Sequence, residues 1–384
     1  MAVRWATPGS TGGRLVRVGF LLVAAAAVSG ELPSGVSPRA SEIRELLLRG
    51  KVEEAVAASR RLITDPQTEF KTLLEVGQLL AERKIFPEAR SAFVRAQELD
   101  PASFAAAFNL GYLYFQEANF NQAQQMLARA VSLDARSFQA NFLLGLARLR
   151  SGEKQEGLEQ LRKAEKLEPN NPELLKFLAT QYNEAGQPHD ALPLLERALR
   201  TGRADAGLYV LLVETYRQVG EYSKALSTAT EAVEKIPQSA RLQFLRGTQL
   251  QALGRFGESA PYFEKAISLE PNFPEALLAV GELASHQGKD EEAIAAFQKA
   301  LALRPGYPDA LLLLAESYRK TGDLQRAEEV FLQAVQAAPQ NPRCHLLLSQ
   351  VYLLQKKSEQ SRKEKEIFLE LQRKQQPLSG MSHH

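Results

Sequence analysis

The chain has 384 residues, 45% of them hydrophobic and 24% charged, the balance of a folded globular protein rather than a disordered one. Its net charge is +2, and without Arg4, Arg14 and Arg17 the rest carries −1, so it lacks the concentrated basic face that nucleic acid requires. A single cysteine, Cys344, excludes an intrachain disulfide and any metal site built on cysteines.

The amino terminus reads as a targeting segment. "MAVRWATPGSTGGRLVR" is basic and acid-free, the apolar run "VGFLLVAAAAV" covers 18–28, and the small residues Ala27, Ser29 and Gly30 lie at its end. That order predicts a secretory signal peptide over 1–30, cut near Ser29 or Gly30. The apolar run is shorter than the about 20 residues that cross a bilayer as a helix. Two alternatives stay open. One is an uncleaved anchor lengthened by Leu15 and Val16 at the expense of burying Arg17; the other is an organelle transit peptide, which fits the Arg-rich composition but not the lack of amphipathicity. The expected location is therefore periplasmic or secreted, with anchoring to the inner membrane as the alternative.

Residues 31–41 read as a linker, and 42–69 as a degenerate capping helix pair that keeps Gly50 and Ala55 but has Leu62 in place of a small residue. From Phe70 a period of 34 residues runs unbroken through eight units: 70–103, 104–137, 138–171, 172–205, 206–239, 240–273, 274–307 and 308–341. Counting places from the start of each unit, place 27 is always alanine, from Ala96 and Ala130 to Ala334. Place 20 is always small, as in Ala123, Gly157 and Ser259. Place 8 is small in Gly77, Gly111, Gly145, Ala179, Gly247, Gly281 and Ala315, with Val213 the exception. Place 24 is aromatic or leucine, with Ala229 the exception.

Places 7, 8 and 11 share one face of a first helix, and places 20, 24 and 27 one face of a second. Two helices approach to about 8–10 Å only where contact residues are small. Gly111 and Ala123 allow that approach within a unit, Ala130 leaves room for the next first helix, and Tyr114 and Leu127 fill the space around them. Glycine at place 15, as in Gly152, Gly186, Gly220, Gly254, Gly288 and Gly322, suits the left-handed residue that ends a helix. Pro101, Pro169, Pro237, Pro271, Pro305 and Pro339 stop the second helices, while Pro193 and Pro261 read as lying in the first turn of theirs. Residues 342–375 form a degenerate last unit whose final helix is polar, with Phe368 where alanine would sit, and 376–384 read as a flexible tail.

These residues resemble the tetratricopeptide repeat, over nearly the whole chain beyond the leader. The resemblance implies an all-α fold, a right-handed superhelical solenoid of antiparallel helix pairs whose first helices line a concave groove. It also implies partner contacts at places 2, 5, 9, 12 and 13 of each unit. Here those places hold Phe108, Tyr112, Phe115, Phe142, Leu146 and Leu149, with Asn109 alongside, an apolar stripe two units long. The stripe has two readings, a seat for a partner segment or packing against the neighbouring unit, and Tyr112 and Leu146 are the residues packing explains least. Further on, Lys176, Thr180, Asn183, Glu214, Arg217, Thr248, Gln251, Glu282, Glu316, Arg319 and Lys320 make a mixed polar face of alternating sign. The Lys/Asn/Arg clamp by which chaperone-binding members hold a terminal carboxylate is absent. Leu74, Gln78, Asn109, Gln139 and Leu143 occupy its places in one register, and Lys176, Thr180, Leu211 and Leu245 in another.

No phosphate loop or nucleophile motif appears; of the five histidines, His189, His286, His345, His383 and His384, neither His189 nor His286 has a partner at ligand spacing, and the tail pair His383 and His384 could bind metal adventitiously. The expectation is a non-enzymatic scaffold without cofactor or metal, serving protein or peptide partners and not nucleic acid or a small-molecule substrate, and monomeric. A membrane-tethered assembly factor is the alternative, and end-to-end self-association is opposed by the polar last helix.

Overall fold

The computed structural model describes residues 37–375; the signal-peptide reading of 1–30 and the tail reading of 376–384 lie outside the described residues. The described residues contain twenty α-helices in consecutive antiparallel pairs and no strand. They divide into two compact units, one ending at Arg203 and one starting at Ala204.

In the first unit the helices are α1 (Pro38–Leu48), α2 (Val52–Thr64), α3 (Phe70–Glu82), α4 (Phe86–Leu99), α5 (Phe104–Gln116), α6 (Phe120–Leu133), α7 (Phe138–Arg150), α8 (Lys154–Leu167), α9 (Pro172–Glu184) and α10 (Pro188–Arg200). In the second they are α11 (Ala206–Gln218), α12 (Tyr222–Lys235), α13 (Ala240–Ala252), α14 (Phe256–Leu269), α15 (Pro274–His286), α16 (Asp290–Leu303), α17 (Pro308–Lys320), α18 (Leu324–Ala337), α19 (Pro342–Leu354) and α20 (Ser358–Gln375). Within each unit an odd-numbered first helix packs on its own second helix, and that second helix packs on the next first helix. Among the described residues no helix is long and apolar enough to cross a membrane.

The termini of these helices follow local chemistry. Ser103, Ser137, Asn171, Asp205, Ser239 and Asn341 each sit just before a first helix and accept a backbone N–H from its first turn with their side chains. Where that residue is Phe273 or Tyr307, proline at the first helical position takes over. Helix α1 begins at Pro38, inside the expected linker, because Ser37 caps it through its hydroxyl and its own N–H donates to a Glu75 carboxylate oxygen at 2.9 Å. At place 15 every glycine has φ between 72° and 91°, and Lys84, Ala118 and Lys356 adopt the same left-handed conformation with φ of 60°, 57° and 63°. Pro193 and Pro261 lie at the sixth residue of α10 and α14, deeper in their helices than the expected first turn.

The core is a repeated insertion. A Cβ at Gly111 would lie 2.7 Å from Leu127 Cγ, and one at Gly77 or Gly281 would lie 2.6 or 2.5 Å from a ring carbon of Phe93 or Phe297. The large side chain at place 24 therefore occupies the space that a side chain at place 8 would need. Val213 and Ala229, the two exceptions to the pattern, fall in one helix pair and are both fully buried. In that pair the large and small residues have exchanged places, which conserves the volume of the contact.

Two polar residues that enter the core join helices through their pairing. Asn141 Nδ2 donates to the Ser137 and Ala135 carbonyls at 2.7 and 3.1 Å, and Gln160 Nε2 donates to Asn141 Oδ1 at 2.5 Å, which joins α7 to α8. Buried His345 has the Glu364 carboxylate 2.6 Å from Nδ1 and the Pro339 carbonyl 3.0 Å from Nε2, and so fastens α20 to α19. Cys344 is fully buried, and burial pushes its thiol up to about 11, the condition of a packed side chain and not of a nucleophile.

Candidate partner-binding site

Successive first helices lie side by side in each unit, α3 beside α5 and α5 beside α7, α15 beside α17 and α17 beside α19. Their shared face carries the expected contact places, and the two units differ along it.

In the first unit the apolar stripe is mostly closed. Phe108, Phe115, Phe142 and Leu146 are between 5% and 9% exposed and belong to one buried cluster with Leu127 and Leu161. Phe104 stacks on Phe108 and Phe138 on Phe142, each pair with centroids 5.6 Å apart and rings nearly parallel. Phe115 meets Phe120 edge to face at 5.6 Å. Asn109 is buried as well. Of the two readings of the stripe, this burial fits packing against the neighbouring unit for these residues, and it places Leu146, which packing was expected to explain least, within that packing. The phenylalanines at places 1 and 5 are one helical turn apart and stack on each other, which draws both towards the core. Tyr112 and Leu149 remain half-buried against the cluster. Burial raises the Tyr112 phenol above its usual range, opposed by a hydrogen bond with Gln116. Leu149 covers Gly157, where a Cβ would come within 2.8 Å of it.

Further along the first unit, half-buried Lys176 pairs with Glu173 at 3.0 Å, and Asn183 is also half-buried. At the other end, between α1 and α3, a recess of 290 Å³ is lined by Arg44, Leu47, Leu48, Glu75, Gln78 and Glu82 among others. Leu48 is 71% exposed there. Sequence reasoning passed over this recess because 42–69 read as a cap.

In the second unit the same face is charged. Arg241 lies 3.8 Å from Glu214, and Arg343 donates to Glu316 at 2.7 Å. Both pairs join place 9 of one helix pair to place 2 of the next, a separation of 27 residues. Between them, at the same two places, stand Thr248 with Glu275, whose carboxylate is bonded to Arg304 at 2.6 Å, and then Glu282 with Asp309, where a carboxylate faces a carboxylate. Burial raises the Glu282 carboxyl to about 7, and Asp309 raises it further while Arg343 opposes. Asp309 is raised too, by burial, again against Arg343. Glu214 is raised by burial and lowered by Arg241 and Arg217. The Nε atoms of Arg217 and Arg319 are buried without a hydrogen-bond partner. Asp309 and Arg343 were missed in the sequence; the 27-residue spacing from Glu282 and Glu316 would have found both.

Among the described residues no group of three His, Cys, Asp or Glu side chains is arranged to hold a metal. His286 packs its ring 5.4 Å from that of Phe256, and His189 is exposed.

The family model described as the cilia and flagella-associated protein 70 C-terminal domain matches residues 21–245, more than half of the chain, and two tetratricopeptide repeat models match 244–308 and 287–351. Among solved structures, the C-terminal part of a tetratricopeptide repeat protein from Cytophaga hutchinsonii is 19% identical with a TM-score of 0.55, over 63% of this chain and 99% of that one. A tetratricopeptide repeat protein from Parabacteroides merdae is 16% identical with a TM-score of 0.44, over 65% of this chain and 98% of that one. A chain of the APC/C hetero-tetramer Cut9–Hcn1 is 16% identical with a TM-score of 0.40, over 87% of this chain and 79% of that one. No curated protein matches. The chain belongs to the tetratricopeptide repeat family, in the group described as the cilia and flagella-associated protein 70 C-terminal domain.

Proposed function

We propose that this chain is a non-enzymatic scaffold that holds a protein segment against the first helices of its second unit, with a basic side chain of that segment set between Glu282 and Asp309. The observation that carries this reading is the junction where two carboxylates meet, whereas the glutamates at the same place in two other junctions, Glu214 and Glu316, pair with Arg241 and Arg343. A lysine or arginine from a partner would complete the series and relieve the cost of two like charges in a partly desolvated groove. Glu214, Arg217, Glu316 and Arg319 flank the position and would set the orientation of the bound segment. In the first unit, Tyr112, Leu149, Lys176 and Asn183 are the expected contact residues that keep accessible surface, and they offer an additional, weaker contact.

Selection of random twelve-residue peptides (a length chosen as roughly that of an extended peptide ligand) on the purified chain tests this. The expected outcome is enrichment of peptides with a central lysine or arginine, whose binding falls at least ~10-fold in Glu282→Gln with Asp309→Asn. Enriched peptides without a basic residue, or binding indifferent to that double substitution, would sink the reading.

We also propose that the chain acts outside the cytoplasm, the basic start and short apolar run of 1–30 being removed on export. Retention of that segment as a membrane anchor is the other form of this proposal. Intact mass of the native protein separates them: loss of about 30 residues supports export with cleavage, and a full-length mass supports the anchor.

A further inference from the structure

One helix pair departs from the repeat at its end. In the first unit, α4, α6 and α8 each run 14 residues and close on Leu99-Asp100, Leu133-Asp134 and Leu167-Glu168, whereas α10 stops after 13 residues at Arg200. The chain there continues as Thr201-Gly202-Arg203, with Gly202 at φ 73°. The leucine that finishes α4, α6 and α8 is replaced by threonine, and the proline of the commonest ending by arginine.

The consequence is a recess of 580 Å³ lined by Asn170, Pro172, Arg197, Arg200, Thr201 and Arg203. It lies between the end of α10 and the turn that leads into α9, away from the first-helix face. Three guanidinium groups converge on it, and one acid is engaged: Arg197 is bonded through Nη2 to Glu165. The Nε of Arg197 is buried without a hydrogen-bond partner. Arg200 and Arg203 have no ion pair or hydrogen bond through their side chains among the described residues. Of the other nearby carboxylates, Glu168 accepts from Asn171 Nδ2 at 2.8 Å, Asp205 accepts the Leu208 N–H at 2.7 Å as the cap of α11, and Glu196 is engaged as well; the Thr201 hydroxyl donates to the Ala198 carbonyl at 2.7 Å. What remains turned to the recess is an excess of positive charge carried by forked N–H donors, with the amide of Asn170 at its edge.

We infer that this recess binds a phosphate monoester. A guanidinium presents paired donors that match two oxygens of one phosphoryl group, and two such groups with a third partly neutralised suit a dianion better than a monovalent carboxylate. The volume exceeds that of a bare anion and leaves room for the group that carries the phosphate. The site is separate from the proposed peptide groove, so each can fail without the other.

Isothermal titration of the full chain with inorganic phosphate, O-phosphoserine, a phosphoserine nonapeptide and the same peptide unphosphorylated tests the inference. All three phosphate probes are expected to bind with a site count near one, the unphosphorylated peptide not at all, and affinity should weaken as sodium chloride is raised. Arg200→Ser with Arg203→Ser should weaken binding roughly 10-fold or more, and Arg200→Lys with Arg203→Lys should lose less, because charge stays while the forked donors go. Both positions are exposed, so the helical melt of each variant should match the parent. Tighter binding of the phosphopeptide than of O-phosphoserine assigns the site to a protein-borne phosphate, and equal binding assigns it to a small molecule. Absence of heat with every phosphate probe, or unchanged affinity in the serine variant, overturns the inference.

Discussion

The two units use one helix pair to opposite ends. Up to Arg203 the contact places of the first helices hold Phe108, Phe115, Phe142 and Leu146, and the chain has folded these into its own core. From Ala204 the same places hold Glu214, Glu282 and Glu316, which are costly to bury unpaired and so remain at the face as ion pairs or as the strained Glu282–Asp309 couple. Aromatic residues on a repeat face are thus ambiguous, because a ring that could anchor a partner gains as much by stacking on its neighbour. Charged residues out of balance are less ambiguous, since Arg343, already bonded to Glu316, only partly offsets two facing carboxylates.

The largest effect that could break this comparison is truncation of the first unit's stripe. Phe142→Ala should cost about 3–5 kcal/mol in urea or thermal unfolding, the loss expected for a core ring and not for a groove residue. A loss under about 1 kcal/mol would return Phe142 to the open seat that the sequence suggested. The helix contact itself should behave alike in both units: Gly77→Ala and Gly281→Ala each drive a methyl into a phenylalanine ring and should each cost roughly 1–3 kcal/mol, read from the same unfolding curves. A large difference between them would mean that the insertion of place 24 is not equivalent in the two units.

Glu282→Gln sharpens the comparison through its pH dependence. The folded-state carboxyl titrates at about 7 against an ordinary value of 4.5, so ionised Glu282 is tolerated worse in the folded chain than in the unfolded one. Its contribution is without penalty below the unfolded value, and stability is lost as pH rises from there through the folded value. The glutamine variant should match the parent near pH 4 and exceed it by roughly 1–2 kcal/mol at pH 8, allowing for the water that still reaches the groove. A variant less stable than the parent at pH 8 would remove the argument for a strained pair.

The smallest effect concerns the turns. Ala118 and Lys84 hold the left-handed conformation that glycine holds at the same place elsewhere. Ala118→Gly and Lys84→Gly should each stabilise by about 0.5–1 kcal/mol, visible as a rise in Tm. No rise would mean that the left-handed residue at place 15 carries no strain here.

Much of the fold was legible because the repeat states its own packing. Gly111 against Leu127, alanine at Ala130 and glycine at Gly152 each announce a contact or a turn that no other residue type serves as well. The Val213 and Ala229 exceptions read singly as blemishes, and only as a facing pair do they become one compensated contact. The candidate site was legible in its addresses but not in its exposure. Sequence names the face on which Phe108 and Glu282 both lie, but whether a side chain on that face turns inward depends on its neighbours, as Phe104 stacking on Phe108 demonstrates. The partner of Glu282 was hidden for a simpler reason: Asp309 is distant in sequence and becomes adjacent only when first helices are set side by side.

The most direct test of the central claim places a photoreactive side chain at one position at a time on this face and maps where a selected basic peptide attaches. Positions 112 and 149 sample the first unit, and positions 285 and 316 the second. Adducts concentrated at 285 and 316, and abolished by Glu282→Gln with Asp309→Asn, are the predicted result. Adducts confined to 112 and 149, and unaffected by that double substitution, would contradict it.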